Sequence, residues 1–260
     1  VSSRVHALVT TRNGGISEPP YGAGGALTAQ AGGLNLGLHT GDDPIVVGTN
    51  RARVLSLTGA RAAWLEQVHG SDVVLADDVI AAAASGAACV RADASVTTTP
   101  AVACVVMVAD CLPVLLCDEA GRAVGAAHAG WRGLAAGIIE NTARRVAEHS
   151  GAQLAELHAY LGPAIGPAAF EVGADVRDVF VAQAHASERD LVARAFAAHP
   201  SIPGKYFADL YALARGRLAR LGVTRVSGGD ACTLSERERF YSYRRDRVTG
   251  RMAAMIWLTS

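Results

Sequence analysis

The chain has 260 residues, 50% hydrophobic and 18% charged, enough to bury a large core within one domain and unlike disordered or collagen-like chains. Lys plus Arg (24) equals Asp plus Glu (24), so no global field draws it to nucleic acid or to an acidic membrane. Residues 101–117, the longest apolar run, are broken by Asp110 and Pro113 and fall short of the roughly 18 to 20 residues of a spanning helix. The first twelve residues lack the charged start, apolar stretch and cleavage site of a secretory signal, making the cytoplasm the expected compartment. Cys89, Cys104, Cys111, Cys117 and Cys232 are odd in number and form no Cys-x-x-Cys pair, which argues against a disulfide framework and a zinc ribbon.

In chain order, apolar alternation predicts a first strand over 5–9. Residues 13–33, rich in Gly and Pro, read as a surface loop. Within them YGAGG (21–25) lacks the third Gly of a dinucleotide fingerprint and reads as a turn. A helix is predicted over 44–58: Asp42 and Asp43 can cap it, Pro44 suits its first turn, Val47, Val54 and Leu55 share a face, and Gly59 can end it. The Ala/Ser/Gly stretch 79–89 reads as a mobile surface loop. Strands follow over 102–108, 114–117 and 123–128, then a helix over 133–149 with Leu134, Ile138 and Val146 inward and Gly151 past its end. A strand over 155–161 leads into LGPAIGPAAFEVG (161–173), where Pro163 and Pro167 remove amide donors, so the loop reads as a pocket wall and not a phosphate cradle. A third helix over 206–221 buries Phe207, Leu210, Ala214 and Leu221 before Gly222, ahead of strands at 223–227 and 252–258. No 20- to 50-residue period recurs, and Lys205 stands in PGKYF, outside any Walker loop. The expectation is a mixed α/β chain (α+β) forming one domain over 1–260.

Chemistry concentrates in 102–133. Two apolar strands flank a turn at Asp118 to Arg122, making a hairpin. A turn centred on Ala120 sets residues whose numbers sum to about 240 face to face, so Cys111 lies across from about Ala129 and next to His128, at the hairpin's open end. His69, just before Gly70 and Ser71, is a third candidate. Two imidazoles and one thiolate can hold a divalent ion with an open fourth position, the arrangement of a catalytic zinc. The same residues also read as a buried cysteine with two hydrogen-bonded histidines, or as a Cys111 nucleophile with His128 or His69 as base. Strand alternation turns Asp110 away from Cys111. Near the C-terminus Arg237, Arg239, Arg244, Arg245, Arg247 and Arg251 stand among Phe240, Tyr241 and Tyr243. They read as a nucleoside-and-phosphate pocket, as a solvated face neutralised by Glu236, Glu238 and Asp246, or as a weaker single-stranded RNA site.

TTRNGGIS (10–17), LNLGLHTGDD (34–43), Asn50-Arg51, QVHG (67–70), ADCLPVLL (109–116), HAGWRG (128–133), GPAIGP (162–167) and FYSYRRD-RVTGRM (240–252) occur in this order. Together they resemble the YfiH-like, laccase-domain family. The resemblance implies His69, Cys111 and His128 as ligands of a catalytic zinc, and a layered sandwich of two β-sheets between helices. It also implies phosphorolysis of adenosine, inosine and methylthioadenosine, with adenosine deamination. An older family label, polyphenol oxidase, implies copper. Ala168-Ala169 depart from the cysteines that many members carry after GPAIGP, and the chain starts close to the first motif, so a short native segment is expected before it.

The resulting expectation is a zinc-dependent purine nucleoside phosphorylase with adenosine deaminase activity, catalytic through His69, Cys111 and His128. In it Arg51, Arg132 or Arg244 steadies phosphate, Asn35 and Gln67 orient the nucleoside, and no residue is assigned to carry the deamination proton. The rival expectations are a copper phenol oxidase, a Cys-His hydrolase and a metal-stabilised binding module acting with cell-wall enzymes. Substrates are small molecules, with no nucleic acid or membrane partner, and oligomeric state is left open.

Overall fold

The computed structural model describes residues 1–22 and 32–260. Most of the turn predicted at 21–25 lies outside the described residues.

Two mixed sheets form the centre. The four-stranded sheet runs in the order Val5–Val9, Met252–Leu258, Val102–Val108, Arg61–Ala63. The six-stranded sheet runs Arg225–Gly228, Leu157–Leu161, Leu112–Asp118, Val124–Ala129, Ala94–Thr97, Val73–Leu75. Strand alternation explains how they stack. Val102, Cys104, Val106, Ala254 and Ile256 point from the first sheet onto Leu115, Cys117, Val124 and Ala126 of the second. The opposite faces are covered by helices. Ala103, Val105, Met255 and Trp257 pack beneath Val54 and Leu55 of the helix Pro44–Thr58. Leu112, Val114, Leu116 and Ala127 pack beneath Ile138, Ile139 and Val146 of Ile138–Ser150 and Leu213, Ala214 and Leu218 of Leu210–Arg220. Central strands are thus buried on both sides, which is why Val102–Val108 and Leu112–Asp118 are almost unbroken apolar runs. Each fully buried Val or Leu contributes about 1.5–3 kcal/mol. The result is the expected helix–sheet–sheet–helix sandwich.

Local signals place most elements where the sequence puts them. Asp43 accepts from Ile45 N at 2.8 Å, Pro44 opens the first helix, and Gly59 closes it at φ 63°. The hairpin turn is held by Asp118, whose Oδ1 accepts from Arg122 N and Ala123 N at 2.7 and 2.9 Å. Its register pairs Leu112 with Ala129 and Pro113 with His128, one residue from the predicted frame.

Four local expectations are corrected. The 79–89 stretch is not a loop throughout: Ala76–Ala84 is a helix, because alanine favours helix most strongly, Asp77 and Asp78 suit its first turn, and Ala76 and Val79 are buried. The helix expected over 133–149 is two, Trp131–Ala136 and Ile138–Ser150, divided by Gly137 at φ 91°. The start of the 206–221 helix is instead strand Lys205–Ala208, centre of a three-stranded sheet, and helix begins only after Asp209 caps Ala212 N at 2.9 Å. Within the loop expected over 13–33, Asn13–Gly15 and Gly32–Gly33 form a small antiparallel pair.

Candidate metal centre and its cavity

Cys111 sits where the chain leaves one central sheet, at Val108, and enters the other, at Leu112. Asp110 makes that corner with φ 101°. Its side chain turns away from the cavity, as alternation predicts, accepting from Thr233 Oγ1 at 2.6 Å and Arg244 N at 2.7 Å. Its carbonyl accepts from Ile165 N at 2.9 Å. The Gly-Pro loop is therefore a brace behind the Cys111 corner and not the pocket wall expected of it.

His128 lies near the end of strand Val124–Ala129, 3% exposed. His69 arrives from the QVHG loop in the left-handed region, φ 61°. Asp93 fixes both. Its carboxylate accepts from the backbone N–H groups of Val68, His69 and Gly70 at 3.1, 2.9 and 2.7 Å, and meets His128 Nδ1 at 2.8 Å. With Nδ1–H donating to a carboxylate, His128 offers Nε2 as its free lone pair. Asp93 belongs to none of the motifs that point to the site. Its visible signal is an acidic residue inserted between small apolar ones, in RADASV, immediately before a strand.

The ligand atoms of His69, Cys111 and His128 lie within 4.8 Å of one another. Cys111 Sγ is 3.7 Å from His69 Nε2, close to the roughly 3.5 Å between donors around a tetrahedral zinc. Gly130 keeps this space open: a Cβ there would come 2.9 Å from Cys111 Sγ and 3.1 Å from His69 Cδ2. The residues therefore could hold a metal ion, and among the described residues they are the one such group. Gly130→Ala is expected to lower metal affinity by at least about tenfold, since the ligand atoms must shift from their positions; a metal-competition titration reads this directly.

Without metal the group is an ion pair. Burial disfavours the Cys111 thiolate, but His128 and His69 favour it more, bringing the thiol down to about 6. Burial likewise opposes a charged His128, yet the thiolate and Asp93 raise it to about 9. Burial would raise Asp93, and the His128 and backbone hydrogen bonds hold it below the usual carboxylate range. A metal needs thiolate and neutral imidazole. Between about 6 and 9 the free site carries the His128 proton, which binding must displace, so affinity is expected to fall about tenfold per unit of acidification. Below about 6, where Cys111 also takes up a proton, the fall is expected to steepen. Competition titrations across this range check both the sign and the break.

These ligands open into a cavity of about 550 Å³. Leu65, Met107 and Ala109 supply apolar surface, and His39, Glu66, Gln67, Tyr243 and Arg251 supply polar groups. Of the expected substrate contacts, the structure brings Gln67 to the cavity lining and places Asn35, Arg51, Arg132 and Arg244 off it. Gln67 lines the cavity, but its amide clamps Met107, donating to its carbonyl and accepting from its N–H, each at 2.8 Å. Asn35 is 0% exposed and bonds Thr40, Asp42, Gly37 and Arg251. Arg51 donates to Leu36 O at 2.8 Å and stacks 3.9 Å over Trp64, off the cavity lining. Arg132 is exposed over Trp131, and Arg244 donates to Glu171 O at 3.0 Å; neither lines the cavity. Of the arginine-rich segment, Arg237, Arg239 and Arg245 pair with Asp246 or Glu236, leaving Arg251 as the cation that reaches the cavity. Arg251 comes from the segment read as a nucleoside-and-phosphate pocket, whereas His39 is a cavity group that no sequence reading named. Both lie in the quoted family motifs, but only the fold shows which side chains turn inward.

The sandwich with a His-Cys-His group at its sheet junction defines a family fold. Residues 6–259 match the family described as "Multi-copper polyphenol oxidoreductase laccase". The chain belongs to this YfiH-like laccase-domain family. It is 50% identical over 256 residues to a purine nucleoside phosphorylase of Pseudomonas aeruginosa, covering 98% of this chain and 94% of that one. It is 48% identical over 257 residues to purine nucleoside phosphorylase YfiH of Escherichia coli, again covering 98% and 94%. A crystal structure from Neisseria meningitidis superposes with a TM-score of 0.87 at 47% identity, covering 100% of this chain and 96% of that chain. No helix among the described residues is long and apolar enough to cross a membrane.

Proposed function

We propose that the chain is a zinc-dependent purine nucleoside phosphorylase acting on adenosine, inosine and methylthioadenosine, with adenosine deamination as a second activity of the same cavity. The observation that carries this reading is the His69–Cys111–His128 group opening into a cavity that also holds Arg251. The names of the relatives point the same way. A thiolate with two imidazoles suits zinc. The family description's several coppers would need several ligand sets, whereas the described residues offer one.

In phosphorolysis a phosphate oxygen forms a bond to the sugar's anomeric carbon while the carbon–nitrogen bond to the purine breaks. The electron pair leaves with the base, which takes up a proton. In deamination water adds to the purine carbon bearing the amine, and ammonia departs. A zinc ion held by the three ligands would supply Lewis acidity at the cavity floor. The protein's part is to hold and orient. Asp93 sets His128 and the His69 loop, Leu65, Met107 and Ala109 offer the flat apolar surface that a purine needs, and Arg251 offers positive charge. Glu66, the carboxylate lining the cavity, is the group we assign to proton transfer in deamination, the role left open by the sequence.

Chromatography of adenosine incubated with purified protein, with and without phosphate, tests the proposal. Adenine and ribose 1-phosphate are expected only with phosphate, and inosine without it. Unchanged adenosine from zinc-loaded protein would overturn the reading.

A further inference from the structure

The cavity has a second polar wall, formed by His39 of the 34–43 loop and Arg251 of the segment entering the last strand. Asn35 joins these two stretches of chain. Its Oδ1 accepts from Gly37 N at 3.0 Å and from Arg251 N at 2.9 Å. A Cβ on Gly37 would come 2.8 Å from Arg251 Cγ, so the arginine lies directly against the loop that carries His39. The Arg251 guanidinium donates to the carbonyls of Thr249 and Gly250 at 3.0 and 3.1 Å. Those bonds aim the group without neutralising it.

The charge of this wall is that of Arg251, which feels the Cys111 thiolate and Asp110. The guanidinium bonds of Arg251 among the described residues go to backbone carbonyls, and the cavity carboxylate Glu66 is paired with Arg91 at 3.3 Å. Partial burial, followed by the fields of Arg251 and Arg51, lowers the pKa of His39, so this imidazole offers a neutral N–H donor beside the Arg251 guanidinium. Proteins hold such groups together where an anion completes the site. Of the other arginines expected to hold phosphate, Arg51 is engaged by Leu36 and Trp64, Arg244 donates to Glu171, and Arg132 lies exposed over Trp131, off the cavity lining.

We propose that the His39–Arg251 wall is the subsite for inorganic phosphate, with Arg251 donating through its guanidinium and His39 through its imidazole. This rests on the phosphorylase reading for its biological meaning, but the subsite can be tested without turnover. Its occupant supplies the oxygen that attacks the anomeric carbon, and the charge that holds it is that of Arg251, separate from the three candidate metal ligands.

The experiment is calorimetric titration of inorganic phosphate into zinc-loaded native, Arg251→Gln and His39→Gln proteins, with zinc content measured in each and the phosphate KM followed by adenine release. Losing a charge-assisted donor is expected to weaken phosphate binding, and raise the phosphate KM, about 10- to 100-fold in Arg251→Gln. The expected change in His39→Gln is smaller, about three- to tenfold, and zinc content should be unchanged in both. Should Arg251→Gln fail to fold, His39→Gln, altering a more exposed side chain, decides. Native-like phosphate binding in both variants, with native adenine release intact, overturns the subsite and leaves the phosphorylase reading standing. Arg251-dependent phosphate binding in a native protein that releases no adenine does the reverse.

Discussion

Cys111→Ala is expected to yield a folded protein that no longer retains metal and turns over nucleoside at least about 10³-fold more slowly, the loss of several kcal/mol of charge stabilisation. The fold should survive because Cys111 lies outside the apolar clusters that join the layers, half-buried at a corner held by Asp110, Thr233 and Ile165. The metal should not, because the substitution removes the one thiolate of the set and leaves two neutral donors. Elemental analysis beside a thermal melt separates these effects. A native melting temperature with no bound metal is the expected pair of results, whereas retained metal with full activity would remove Cys111 from the site.

Asp93→Ala should have the larger structural effect. Three backbone N–H groups and the His128 Nδ1–H converge on this one carboxylate, which is 0% exposed. Truncating it leaves buried donors unpaired and removes the counter-charge of a protonated His128. Breaking a buried, hydrogen-bonded charge pair costs about 3–5 kcal/mol. The His69 backbone, held at φ 61°, loses the hydrogen bond that offsets its strained conformation. Denaturant unfolding of the metal-free protein measures this cost. Asp93→Asn, which keeps a side-chain acceptor, is expected to fold better while lowering metal affinity about 10- to 100-fold. A loss below about 1 kcal/mol in Asp93→Ala would show that the loop is held by something else.

Much of this was legible in the sequence because it depends on local rules. The Pro44–Thr58 helix follows from Asp43, Pro44 and Gly59, and the central hairpin from two apolar runs around Asp118 and Gly121. One residue of register separates the expected frame from the observed pairing of Pro113 with His128, too little to part His128 from Cys111. The ligand trio was one of several readings from spacing, and only the family resemblance singled it out. What was not legible depends on tertiary closure. Asp93 looks like any acidic residue before a strand until the QVHG loop folds over it. The Asn35 and Arg51 side chains, attractive as substrate contacts in a motif-rich segment, are taken up by the chain itself. Their neighbours His39 and Arg251 are the ones that reach the cavity. The 79–89 stretch departs from the expected loop because its alanines and the buried Val79 favour helix over the turn tendency of its Ser and Gly.

The central claim is that one metal ion on His69, Cys111 and His128 serves phosphorolysis in the cavity above it. Titrating zinc into metal-stripped protein while following adenine and ribose 1-phosphate from adenosine and phosphate tests it most directly. Activity rising to a plateau at one zinc per chain, and absent throughout in Cys111→Ala, is the predicted result. Full activity in the stripped protein, unchanged by added zinc, would contradict it.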